Sequence, residues 1–163
     1  VHKGYYSEQK LELVYIYTIE FNGKKQIGMI VDLDHKCYET EVIHPHEETL
    51  ANRIEIISKI TKESGVFNGF PIIFCHFKQD LMDLILGVIQ KMPAFISIKK
   101  DSITHTVYQT TTEQSKHILN LTKEIKEAYI ADGHHRFKGF SHFIKKLFIT
   151  NRLFWSFCFN KFF

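Results

Sequence analysis

Near the start of the chain, two runs of apolar and β-branched residues, "LELVYIYTIE" and "KKQIGMIVDL", flank Asn22-Gly23. Asn-Gly between such runs predicts a tight hairpin, because its two central residues need positive φ. Asp32 to Val42 reads as an irregular connection. The apolar period then lengthens. Leu50, Ile54, Ile57 and Ile60 recur at helical spacing within "HPHEETLANRIEIISKITKESG", predicting a first helix that ends at Gly65. "FPIIFCHF" is continuously apolar, as a buried strand requires. Leu81, Leu84, Ile85 and Val88 mark a second helix from Lys78 to Lys91, stopped by Pro93. "FISIKK" and "THTVYQT" predict a second hairpin around Asp101-Ser102. Ile118, Leu121 and Ile125 mark a third helix from Glu113 to Glu127. "AYIA" is a short strand, and a last helix starts at His134 with Phe137, Phe140, Ile144 and Leu147 on one face.

The predicted order is ββαβαββαβα. Hairpins mixed with crossover helices imply a mixed α+β (α/β) sheet with flanking helices. Neither a repeat nor a flexible linker interrupts it, so residues 1–142 form one domain. From Phe143 to Phe163 the chain turns rich in Phe, Lys, Ile and Asn. That stretch reads either as aberrant, truncated sequence or as a hydrophobic helix docking on the domain. Starting at Val1 without methionine, the chain reads as part of something longer.

Composition changes this picture only in places. The net charge of +3 is too small to argue for nucleic acid. Its distribution is uneven: beyond Asp132 there are six cations and no acid, against fifteen cations and eighteen acids in residues 1–132. Three cysteines without close spacing give neither a disulfide framework nor a metal knuckle, and they suit a reducing, cytoplasmic setting. Cys75, in an apolar strand, reads as inert. The tyrosines read as packing residues rather than base-stacking platforms, Asp101 as a turn residue and His105 as structural. The tail run "LFITNRLFWSFCF" is too short, and too interrupted by Asn151 and Arg152, for a membrane span.

Candidate chemistry concentrates in "YIADGHHRFKGF", residues 129 to 140. A strand, Asp-Gly and a helix in that order form a helix N-terminal anion site. Asp132 is placed to cap the helix, Gly133 to allow positive φ and close approach, and the first-turn N–H groups point outward without internal partners. Arg136 adds a planar fork for two phosphate oxygens, and His134 and His135 add donors and a proton switch. Positive charge at this end of a helix is unfavourable unless it has a partner. The cluster therefore expects a phosphate; the plainer alternative pairs its cations with Asp or Glu elsewhere. A second cluster, "HPHEETLANR", offers Glu47 as a general base beside His46, or Glu47 and Glu48 as first-turn acids that suit the helix dipole. His44, His46 and Glu47 with His134 and His135 could also assemble a zinc or iron site, though no diagnostic spacing marks one.

These stretches, with "YIYTIEFNGKKQIGMI" and "DSITHTVY", resemble bacterial proteins of unknown function placed with the ParB/sulfiredoxin superfamily, over about Tyr15 to His142. The resemblance implies a ParB/sulfiredoxin-like sheet that binds nucleotide phosphates at Gly133-His134-His135-Arg136. It also implies a possible kinship with free-serine kinases, in which Glu47 would be the base by analogy of chemistry. His134 stands where sulfiredoxins carry their cysteine, so thiol chemistry is not implied. Nor does any segment read as the helix-turn-helix with which ParB proteins hold DNA. Asn52 replaces an acid before Arg53, and Lys138, Gly139 and Phe140 replace small residues, which puts close helix packing in question.

The expected function is phosphate or nucleotide binding, with Mg²⁺ and ADP, ATP or CTP as cofactors and a small hydroxyl-bearing phosphoryl acceptor. Glu47, His46 and His134 are the catalytic candidates. Asp132, Gly133, His134, His135 and Arg136 bind the ligand, and Asp132 is a possible Mg²⁺ contact. Rival readings are a non-enzymatic regulator that binds DNA or protein, a metal-dependent hydrolase, and an inactive fragment.

Overall fold

The computed structural model describes residues 13–34, 37, 40–64, 69–146 and 153–160, giving only the backbone for 34, 143–146 and 153–160. Strands β1 (Tyr15–Phe21) and β2 (Lys24–Asp34) form the first hairpin. Its turn has Asn22 at φ 49° and Gly23 at φ 73°, the mirror-image geometry that Asn-Gly tolerates. β5 (Ile96–Lys100) and β6 (Ile103–Gln109) form the second, with Asp101 and Ser102 both at positive φ. β6 pairs antiparallel with β1, giving the run β2-β1-β6-β5.

A second run contains β3 (Ile43–His44), β7 (Ala128–Asp132) and β4 (Ile72–Cys75). β3 lies parallel to β7, and β4 antiparallel. β8 (Leu153–Asn160) sits between β4 and β2 and joins both runs into one eight-stranded mixed sheet. The helices are α1 (Ala51–Ser64), α2 (Gln79–Lys91), α3 (Thr112–Thr122) and α4 (His134–Lys146). The mixed α+β architecture is the one expected, with β3 and β8 added to the predicted order.

One buried cluster spans both runs. Ile16 and Met29 of the first hairpin, Ile73 and Ile130 of the second run, Ile85 of α2, Ile118 of α3 and Phe137 of α4 belong to it. Phe137 is fully buried and pins the first turn of α4 to the core; a truncation to Ala there costs about 3–5 kcal/mol.

Several boundaries differ from the expectation. α1 starts at Ala51, so Glu47 and Glu48 precede it and its first turn contains no acid. The proposed role of these glutamates at a helix dipole is corrected accordingly. The predicted stripe of α1 is also shifted. Leu50 and Ile60 are exposed, whereas Ser58 and Thr61 are buried and Ile54 and Ile57 half-buried. The reason is the partner: α1 packs closely on α4, where Gly139 lies under Ile57. A Cβ on Gly139 would fall 2.7 Å from Ile57 Cγ2, so glycine permits the close packing that the sequence put in question. α3 stops at Thr122 because the next three N–H groups turn back to carbonyls three residues behind. In the tail, 153–160 is a strand, not a docking helix.

Candidate functional site at the start of the fourth helix

Parallel pairing of β3 with β7 decides where the site lies. His44 stands opposite Tyr129, their rings 5.3 Å apart. Both strands therefore release the chain at the same end of the sheet. From β3 the chain runs into His46, Glu47 and Leu50; from β7 it runs into Asp132, Gly133 and the first turn of α4. Ligand sites of open α/β sheets favour this position, outside the carboxyl ends of the strands.

The two histidines bridge the segments. The His46 backbone N–H donates to His134 Nε2 at 3.3 Å, across 88 residues. The Leu50 N–H donates to His135 Nε2 at 3.1 Å, across 85. His135 Nδ1 faces Glu47 Oε1 at 3.7 Å, and the His46 and His134 rings meet edge to face at 4.4 Å. Both imidazoles thus accept hydrogen bonds at Nε2, where the sequence suggested donors. Burial, followed by the neighbouring His46, holds the His134 pKa below its ordinary value despite the opposing pull of Glu47 and Asp132.

Asp132 ends β7, and its carboxylate takes the Arg136 guanidinium rather than capping a first-turn N–H. Gly133 occupies the cap position: its carbonyl accepts the Phe137 N–H at 2.8 Å. Gly133 has φ +90°, and a Cβ there would lie 2.8 Å from Arg136 Nε and 3.1 Å from Pro71 Cα. Gly69, at φ +83°, flanks the same guanidinium, with its Cβ position 3.2 Å from Arg136 Nη1. Two left-handed glycines thus cradle Arg136, with Pro71 close to Gly133. Its Nε is buried and has no partner among the described residues.

The structure therefore gathers His46, Glu47, Asp132, Gly133, His134, His135 and Arg136 in one place. Asp101 and His105 lie elsewhere: Asp101 turns a hairpin, and His105 Nδ1 is bound to the Tyr17 hydroxyl at 2.7 Å. Burial raises the Tyr17 pKa. Cys75 is buried, its thiol pushed up to about 12, which suits an inert residue. Gly69 and Pro71 were not candidates, since nothing in "NGFP" ties that turn to an arginine 67 residues on.

Among the described residues, no helix is long and apolar enough to cross a membrane. No curated protein and no solved structure matches the chain. One family model does match, described as "Protein of unknown function (DUF1015)", over residues 1–150. This match corrects the resemblance to the ParB/sulfiredoxin superfamily. The analogies with ParB-like regulators that bind DNA and with free-serine kinases lose their footing with it. With residues 1–150 of 163 covered by that single match, the chain belongs to the DUF1015 family.

Proposed function

We propose that this chain binds a phosphate-bearing ligand, with a Mg²⁺-nucleotide as the leading class, at the first turn of α4. The observation that carries this reading is the meeting of two distant segments, His46–Leu50 and Asp132–Arg136, around one helix N-terminus. The first-turn N–H groups and the positive dipole end favour an anion. The Arg136 guanidinium lies beside them, held by Asp132 while its Nε is left over.

A phosphate at the turn competes with Asp132 for Arg136. Mg²⁺ on the Asp132 carboxylate removes that competition, so nucleotide and metal bind together. In this reading Glu47 takes the proton of a small hydroxyl acceptor as its oxygen forms the new bond to phosphorus. The bond from phosphorus to the leaving phosphate oxygen breaks, and His46 or His134 assists. Phosphoryl transfer needs charge neutralisation and positioning above all, and this cluster is of the kind that supplies both. A reducing, cytoplasmic setting suits a chain with free cysteines and a nucleotide ligand.

The test is thermal stability against ADP, ATP, CTP and GTP, each with and without Mg²⁺, for the wild type and Arg136→Ala. A ligand at about 100 times its Kd adds about 2.7 kcal/mol. For a chain of this size that is a rise of roughly 5–10 °C. The expected result is such a rise with one nucleotide, dependent on Mg²⁺ and lost in the variant. A cooperative melt unmoved by the whole panel contradicts the proposal.

A further inference from the structure

We infer that His46, Glu47 and His134 form a binding site for a divalent first-row transition ion, of the Zn²⁺ or Fe²⁺ type. One ligand atom from each lies within 4.8 Å of the other two. Two imidazoles and one carboxylate match the donor set of catalytic zinc centres and of two-histidine, one-carboxylate iron sites, which leave further positions open for water or substrate. Two of the ligands are adjacent on one loop and the third comes from α4, so the pairing of β3 with β7 builds the site.

The donors, within 4.8 Å of one another, must draw closer to hold an ion. Donors at about 2.0–2.1 Å on tetrahedral Zn²⁺ lie roughly 3.4 Å from one another. His134 is buried, whereas the His46 and Glu47 side chains are exposed. His134 Nε2 accepts the His46 N–H at 3.3 Å, a bond that coordination through Nε2 would replace. Charge also fits: Glu47 supplies one negative charge within the site. His135 Nδ1, 3.7 Å from Glu47 Oε1, is a neighbouring partner for its carboxylate. The inference does not depend on phosphate binding at Gly133; with the ion bound, these three side chains are ligands and not the proton-transfer groups of the phosphoryl-transfer reading.

The test uses tag-free full chain, stripped with a chelator and titrated with Co²⁺ alone in phosphate-free buffer, then with Zn²⁺. One Co²⁺ per chain is expected, with visible absorption that Zn²⁺ abolishes. His46→Ala and Glu47→Gln should each weaken binding at least about tenfold. His117→Ala, on the exposed side of α3, should match the wild type. Glu47→Gln alters an exposed side chain without changing its shape, so it remains informative if His46→Ala misfolds. Folded wild type that takes up no stoichiometric Co²⁺ overturns the inference. So does Co²⁺ affinity in Glu47→Gln equal to that of the wild type, or an equal loss in His117→Ala. With no phosphate compound present, failure here is distinct from failure of the nucleotide panel.

Discussion

His134 is 4 % exposed and accepts a backbone N–H, so protonating it means placing charge in a buried spot and breaking a hydrogen bond. Its folded pKa lies below the ordinary 6.5. As pH falls through 6.5, the unfolded chain takes a proton that the folded chain refuses. The unfolded state then binds more protons, so stability declines towards acid from about pH 6.5. Urea titrations between pH 7.5 and 5 should give that slope, and His134→Gln should flatten it; equal slopes in both proteins would contradict the account. At Gly133, substitution by Ala should cost about 1–3 kcal/mol from the positive φ alone, and should also displace Arg136. Chemical denaturation of Gly133→Ala measures it, and unchanged stability would remove the cradle from the argument. At this scale the sequence was informative about residue types. Asp-Gly-His-His-Arg announced a site, and Gly133 announced the positive φ. Partners were not legible, because they come from a loop more than 80 residues away. The imidazoles therefore looked like donors until Leu50 and His46 arrived as donors themselves.

At the scale of elements, the packing of α1 on α4 fixes the loop that supplies His46 and Glu47. Gly139 is its narrowest point. Replacing it with Ala gains about 1 kcal/mol of helix propensity but forces a methyl against the root of Ile57, an overpacking that costs about 1–3 kcal/mol. The expected net loss is about 1 kcal/mol, or roughly 2–4 °C in Tm. A Tm equal to or above that of the wild type would show that the helices separate freely. Helices and hairpins were legible wherever period and turn chemistry agreed, as at Asn22-Gly23 and His134–Lys146. The buried face of α1 was not: Leu50, Ile54, Ile57 and Ile60 form an apolar row, but the neighbour is a glycine-bearing helix, and Ser58 and Thr61 are the buried positions. Thr111 and Gln114 close a full capping box at the start of α3, a signal carried by Thr-x-x-Gln.

For the molecule as a whole, β8 lies between β2 and β4 and the buried cluster crosses from one run of strands to the other. Unfolding should therefore be a single event. Trp155, the sole tryptophan, lies on β8 and reports that strand, while far-ultraviolet dichroism reports the helices. Their urea curves should coincide; fluorescence changing first would mean that β8 is an appendage. The mixed sheet class was legible from alternating hairpins and crossover helices. Strand order was not, since the two-residue β3 offers too short a pattern to detect and the composition of 153–160 masks a strand. Yet β3 is what brings the two clusters together. The most direct test of that central claim is an amide NMR titration with Mg²⁺ and the nucleotide that raises Tm most, or with ATP if none does. The account predicts that the resonances of Gly133, His134, His135 and Arg136 move together with those of His46 and Glu47 on the distant loop. A folded spectrum in which these six stay still while ligand reaches millimolar concentration would contradict it.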